Sequence, residues 1–343
     1  MSEKWYRQSG KQHEMVISTR IRLARNIMGY PFPDRMTVEQ IQEVKQAVRD
    51  AVAQIGGLSL EYIELSECKE RDVLAMVERH LISYDFAKKG TGALLLSPDE
   101  RISIMICEED HLRVQVLSAG LDLEDAYNLA DLVETALDER LRFAFDERLG
   151  YLTQCPTNLG TGMRASLMLH LPALQERGAI RQLSGNVSKL GLTIRGAYGE
   201  GSKSQGAFYQ MSNQVTLGIS EKAAIENLDG IARQIMKQEQ AAREQLLESL
   251  AFEDRMWRSY GLLKYARSIS NEEALGLLSN IRIGVVTGAI EEVPVDVVTA
   301  LISDIHPGCL MSQAGEDLMP DARDRLRAQI IRDALNVKVR KEE

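Results

Sequence analysis

No run of apolar residues in this chain comes near the roughly 20 that a membrane-spanning helix requires. The polar opening MSEKWYRQSGKQHE also has no apolar core of the kind a secretory signal needs. Both absences point to a cytoplasmic protein with no membrane partner. Cysteine is scarce, at positions 68, 107, 155 and 309. No two cysteines form a C-x-x-C pair and no histidine stands at ligand spacing, which argues against a disulfide framework or structural zinc and fits a reducing compartment. Positive charge is not in excess either: a net charge of -9 over 343 residues argues against a dedicated nucleic-acid binder. Neither a G-x-G-x-x-G fingerprint nor a Walker A loop is present. In the Gly-rich run from Arg195 to Gly201, Lys203 falls one position late, with Ser202 before it. Phosphate binding here would have to rest on arginines.

What is present is an ordinary globular composition, 44% apolar and 27% charged. Single cores seldom grow past about 250 to 300 residues, so the length predicts two domains. Short β-rich runs recur through the first two thirds: EMVIS, EYIEL, ALLLS, ISIMIC, LRVQVL, LTIRGA and QVTLG. Helical periodicity lies between them at about 37–54, 69–80, 122–138, 164–176 and 179–190. Several strands follow one another with only short turns, which favours antiparallel pairing. The predicted fold class is α+β, with a mainly antiparallel sheet flanked by helices. From Ser220 an amphipathic stretch runs to near Phe252, and four further helices are predicted near 256–268, 271–286, 294–303 and 321–336, with 306–315 as a loop. The predicted division is a catalytic domain at 1–250 and an all-α domain at 251–343, without a low-complexity linker or an internal repeat.

The run from Cys155 to Arg164, CPTNLGTGMR, carries most information. Pro and two glycines hold an irregular loop, and Thr161 can cap an apolar helix behind it. Arg164 would then stand beside a helix N-terminus that favours anions. An ordinary capped turn would look the same. Arg164 and a helix start could also lower the pKa of the Cys155 thiol, whereas a packed thiol would be inert. Arg20 and Arg22 follow an apolar strand at 15–17 and, two apart, would present two planar donors on one face, suited to a polyphosphate or simply solvated. Glu108, Glu109 and Asp110 end another apolar strand. Their mutual repulsion calls for a cation, whether a substrate or Arg113 returning to pair with them. Arg195 and Glu200 share the last Gly-rich loop.

Together these segments resemble the phosphagen (guanidino) kinase family over about residues 15 to 245. The motifs are STRIRLARN with YPFP at 18–33, EEDHLR at 108–113, CPTNLGTGMRAS at 155–166 and RGAYGE at 195–200. The resemblance implies a nucleotide clamp of Arg20, Arg22, Arg113, Arg164 and Arg195, with Glu109 and Glu200 as the catalytic carboxylates on the acceptor guanidinium. It also implies nucleotide contacts around these arginines, at Ser18, Thr19 and Ile21, at His80, and at Ala165, Ser166, Leu167 and Met168. The last stretch of such contacts is Gly196, Ala197, Tyr198, Gly199 and Glu200. ATP and Mg²⁺ are the implied cofactors, with the metal carried on the phosphates and no protein ligand for it.

Kinases of small free guanidines carry a helical domain of about a hundred residues before the arginine-pair strand. This chain has none there, and it adds a helical tail. Tyr198 also stands where those enzymes usually carry Arg. These departures resemble the bacterial protein-arginine kinase branch of the family. That branch implies arginine-bearing protein substrates, a CtsR-like heat-shock repressor and misfolded proteins among them, with degradation by ClpC–ClpP downstream. It further implies an McsA-type activator and a homodimer formed through the tail. Arg323, Asp324 and Arg327 fit the branch's R-D-x-x-R-A motif, which implies an allosteric phosphoarginine pocket. A solvated helix surface is the alternative for that motif. For the whole chain, the alternatives are a kinase of free arginine or another small guanidine and an inactive phosphoarginine-binding adaptor.

Overall fold

The computed structural model describes residues 3–197 and 204–336. Its centre is an eight-stranded sheet in which every neighbouring pair is antiparallel. The chain enters it at β1 (Val16–Arg25), leaves through α1 (Val38–Ala53), and returns at β2 (Glu61–Glu64). Two short helices, α2 (Glu70–Glu78) and α3 (Tyr84–Lys89), precede the meander β3 (Ala93–Leu96), β4 (Ile102–Ile106) and β5 (Leu112–Ala119). Helix α4 (Leu123–Leu141) and a small hairpin, β6 (Phe145–Asp146) with β7 (Gly150–Tyr151), lead to β8 (Met163–His170). Helices α5 (Pro172–Glu176) and α6 (Ile180–Ser188), then β9 (Leu192–Gly196) and β10 (Phe208–Asn213), finish the sheet. The strand order is β2-β3-β4-β5-β1-β8-β10-β9, so β1 sits centrally between β5 and β8.

Period-two alternation divides the side chains of the central strands. One face carries Ile21, Leu23, Val114, Val116, Ala165 and Leu167 into a core with Val44 and Val48 of α1 and Ala126, Ala130 and Val133 of α4. The other face is apolar only towards its margins. Leu94, Met105 and Leu117 pack there with Leu81, Phe86 and Trp5, while Met168 and Phe208 are covered by the helical tail. Between these two covers the face carries arginines.

After the long helix α7 (Glu221–Leu247) the chain is helical. It forms α8 (Leu250–Tyr265), α9 (Asn271–Val286), α10 (Val295–Asp304), α11 (Pro307–Ala314) and α12 (Pro320–Leu335). These helices share an apolar cluster of their own, drawn from Phe252 to Leu335. A buried polar knot ties them to the sheet. Arg282 of α9 donates to the carbonyls of His13 and of Glu14, the latter at 3.1 Å, and lies 3.3 Å from His170 Nδ1. Arg243 of α7 bonds the His170 carbonyl at 2.9 Å and pairs with Glu239 at 2.8 Å.

Three predicted elements are corrected. Residues 164–176 were predicted as a helix, but 163–170 form strand β8. Its two faces are both buried, one in the sheet core and the other, through Met168 and His170, under the helical tail. A doubly buried strand reads as a continuous apolar run in which neither period stands out. QVTLG at 214–218 lies outside the strands; the preceding residues, Phe208–Asn213, form the strand. Residues 306–315, predicted as a loop, contain α11, whose first amides at Gly308 and Cys309 donate to the Glu78 carboxylate of α2 at 3.0 and 2.9 Å. That cap comes from a distant element, so no local signal announced the helix.

Candidate active site

Register brings the arginines together. Arg22 of β1 lies opposite Arg164 of β8 and Gln115 of β5, Ala24 lies opposite Arg113, and Arg20 lies opposite Ser166. Paired residues share a face, so Arg20, Arg22, Arg113 and Arg164 all rise from the uncovered middle of the sheet. A cleft of about 220 Å³ is lined by Arg22, Arg113 and Arg164 on this face, by Glu109, and by Cys155, Thr157 and Asn158.

The electrostatics of this cluster call for an anion. Burial, followed by repulsion from Arg113 and Arg164, drops the Arg20 pKa to about 10. Arg22 is pushed well down by burial and then by its three arginine neighbours, while Glu108 pulls weakly the other way. Arg164 is lowered by burial, then by Arg195 and Arg113. Among the described residues none of Arg20, Arg22 and Arg164 has a carboxylate partner. Arg20 is held instead by a neutral group, donating to Gln210 Oε1 at 2.7 Å, and the Nε of Arg22 is buried without a hydrogen bond. Like charges gathered at low polarity raise each other's energy, and a bound polyphosphate removes that cost.

Each of the three consecutive acids has a different task. Glu108 is buried and pairs with Arg113 at 2.7 Å, while also accepting from Ser83 Oγ at 2.6 Å. Asp110 is buried and accepts from Asn26 Nδ2 at 2.6 Å and from the Gln154 amide at 2.7 Å, which pins the strand end to the 154 loop. Glu109 alone faces the cleft, 3.2 Å from Arg113 and about a third exposed. Its pKa is raised by burial despite the opposing pull of Arg113. Arg113 is thus both a wall of the cleft and the cation that holds these carboxylates in place.

The loop at 155–162 keeps its expected irregularity but has a different successor. No helix follows it: Thr161 Oγ1 accepts from the Met163 amide at 3.1 Å and closes a turn into β8. Arg164 therefore owes its environment to neighbouring guanidinium groups, and the proposed helix dipole plays no part. Gly162 has φ +59°, and a Cβ there would lie 2.6 Å from Arg25 Nη1 and 2.7 Å from the Ala24 carbonyl. Only glycine lets the loop lie so close to β1. Cys155 Sγ lies 3.0 Å from Thr157 Oγ1 at the cleft wall.

Of the other expected site residues, Ser18, Ser166 and Met168 share the arginine face and line a small recess with His80 and Gln210. His80 is beside Arg20 and Arg22, and burial together with these charges pushes its pKa down to about 3. Alternation turns the side chains of Thr19, Ile21, Ala165 and Leu167 to the opposite face; Thr19 Oγ1 donates to the Gly120 carbonyl at 2.7 Å. Only their backbones could touch a ligand. Arg195 is exposed on β9, opposite Gln210, followed by Gly196 and Ala197. Tyr198, Gly199 and Glu200 lie outside the described residues. In the tail, Arg327 is buried and donates to the carbonyls of Ile305 at 2.8 Å and Ile269 at 2.9 Å, besides pairing with Asp324. Arg323 is half-buried one turn before it. Sequence reasoning missed Gln210 and the Glu108–Ser83 support of Arg113. Strand pairing and a long-range contact create them, and neither leaves a local signal.

Fold and cleft define a guanidino phosphotransferase. The family model "ATP:guanido phosphotransferase, C-terminal catalytic domain" matches residues 43–242. A lombricine kinase superposes with a TM-score of 0.60 at 27% identity, covering 67% of each chain. The duplicated taurocyamine kinase of Schistosoma mansoni, solved with transition-state-analogue components, superposes with a TM-score of 0.59 at 29% identity, covering 66% of this chain and 33% of that one. A second model, "Protein-arginine kinase McsB C-terminal domain", matches residues 249–343. The chain is 46% identical to the protein-arginine kinase of Halothermothrix orenii, covering 97% of this chain and 96% of the relative. It is 45% identical to that of Desulforamulus reducens, covering 97% and 95%. The chain belongs to the protein-arginine kinase family.

Proposed function

We propose that this enzyme transfers the γ-phosphoryl group of ATP to arginine side chains of proteins. The observation that carries the reading is the cleft itself: three guanidinium groups of which two, Arg22 and Arg164, have no acid partner among the described residues, facing one carboxylate, Glu109. The cluster of Arg20, Arg22, Arg113 and Arg164, joined by Arg195, holds the phosphates. Magnesium, carried on those phosphates, would add to the charge stabilisation. An arginine guanidinium is protonated and a poor nucleophile at neutral pH. Glu109 and Glu200 fork onto its N–H groups, aim one nitrogen at the γ-phosphorus and take the departing proton. The nitrogen–phosphorus bond forms as the bond to the β-phosphate oxygen breaks and ADP leaves. Positioning and charge supply most of the catalysis, as in other phosphoryl transfers.

Residues 1–250 are read as the catalytic domain and 251–343 as the helical domain that forms a homodimer. A cytoplasmic role follows, in which phosphoarginine inactivates a CtsR-like repressor and marks misfolded proteins for ClpC–ClpP, with an McsA-type activator. Incubation of an unfolded arginine-containing protein with ATP should yield acid-labile phosphate located on arginine by mass spectrometry. Turnover of free arginine with none on protein would establish the small-guanidine kinase instead, and no transfer to either would establish the adaptor.

For the tail motif we propose that Arg323 and Arg327 face a phosphoryl group and Asp324 its guanidinium. Arg327 is already spent on two carbonyls and Asp324, so it positions the pocket, and Arg323 makes the adjustable contact. Arg323→Ala should weaken phosphoarginine binding about tenfold in calorimetry, the worth of one charge-assisted contact. Unchanged affinity would reduce the motif to surface charge.

A further inference from the structure

The segment QVTLG at 214–218 has the apolar alternation of a strand and yet, among the described residues, pairs with none. Its alternation is real: Thr216 is 4% exposed, whereas Val215 and Leu217 on either side are 46% and 49% exposed. Thr216 is anchored twice to the wall of the cleft. Its hydroxyl donates to the carbonyl of Thr157 at 2.9 Å, and its own carbonyl accepts from the Thr161 amide at 3.0 Å. The carbonyl of Val215 accepts from Asn213 Nδ2 at 3.1 Å, and the amide of Gln214 donates to Gly191 at 2.8 Å. These contacts hold the segment against the loop outside the sheet, and the chain bends from Leu217 through Gly218, where φ is +76°. The packing beneath is tight: a Cβ on Gly160 would come within 2.1 Å of the Thr216 carbonyl oxygen and 2.7 Å of Leu217 Cα. Leu190, 50% exposed, stands next to Gly191, against which Val215 packs, and it extends the apolar strip. Among the described residues the amides of Val215 and Leu217 make no hydrogen bond.

We propose that this strip is the docking surface for the backbone and neighbouring apolar side chains of an extended polypeptide whose arginine enters the cleft. The inference rests on the reading of the enzyme as a protein-arginine kinase. An arginine side chain is long, so the guanidinium can reach Glu109 while its backbone stays outside, crossing the rim. The rim on this side is the 155–161 loop, which contributes Thr157 and Asn158 to the cleft, and directly behind it lies the strip. That continuity selects a polypeptide acceptor over a second copy of the chain. A firmly held segment with outward apolar side chains recognises an unfolded chain through the apolar side chains that such a chain leaves exposed.

The test uses two short peptides that differ only in having leucine or alanine two residues from a single arginine, beside N-acetyl-arginine amide. The full-length enzyme should favour the leucine peptide by roughly tenfold in kcat/KM, the worth of burying one aliphatic side chain. The double variant Val215→Asp with Leu217→Asp should lose that preference, with kcat/KM for N-acetyl-arginine amide unchanged. Equal use of the two peptides by the unaltered enzyme, or a preference that survives in the double variant, would overturn the strip. Phosphorylation of neither peptide by the unaltered enzyme would overturn the protein-substrate reading, and the strip with it.

Discussion

Glu109→Gln is expected to lower kcat by about 10²- to 10⁴-fold, the range set by loss of a positioned general base, with ATP affinity changed less than about threefold. The substitution keeps size and one hydrogen-bond acceptor but removes the charge and the basic oxygen. Two features make Glu109 the sensitive position among three neighbouring acids. It alone lines the cleft, and burial raises its pKa, which makes it the better proton acceptor of a bound guanidinium. ATP affinity survives because the guanidinium groups remain; Arg113 keeps its 2.7 Å pair with Glu108. Glu108→Gln is expected to behave differently: Arg113 loses its buried partner, so nucleotide affinity and stability fall together. The two variants are separated by single-turnover rates and nucleotide-dependent melting. Full activity in Glu109→Gln would remove the carboxylate from the chemistry.

The parts of this architecture legible in the sequence are those written in local patterns. Arg20 and Arg22 are two apart on an alternating strand, and that spacing alone puts them on one face. The helix at 271–286 matches its periodicity because Ser270 caps it through a bond to the Glu273 amide. The family resemblance brought Arg113, Arg164 and Glu109 to the same site, although no local pattern could. Whatever depended on a distant partner was misread. Strand β8 looked helical because the helical tail covers its second face, and α11 looked like a loop because its cap, Glu78, is on another helix. QVTLG reads as a strand because its burial alternates, but loop contacts hold it in place of a ladder. The local pattern around Arg164 points to a helix dipole as the source of its affinity for anions, but no helix follows it. What surrounds Arg164 is a crowd of like charges, visible only once three strands are set in register.

That crowding separates stability from function at one residue. Arg22→Met is expected to lower kcat/KM by about 10²- to 10³-fold, as when a preorganised donor is removed from a charge-stabilising site, while the nucleotide-free protein melts at the same or a higher temperature. Arg22 has a buried Nε with no hydrogen-bond partner among the described residues, and its charge is opposed by Arg20, Arg113 and Arg164. Methionine adapts to the vacated space and relieves that repulsion. Arg25, three residues along the same strand, is the contrast. It pairs with buried Glu134 at 2.7 Å and lies 3.4 Å over the Tyr151 ring. Arg25→Met leaves a buried carboxylate uncompensated and should cost about 3–5 kcal/mol. Melting with and without ATP reads both effects. The upward shift that ATP gives the unaltered enzyme should shrink in Arg22→Met, because ligand stabilisation scales with affinity. In Arg25→Met the shift should persist on a lower baseline. Equal destabilisation by the two substitutions would mean that Arg22 supports the fold, and the cleft would no longer read as a site held in tension for a polyphosphate.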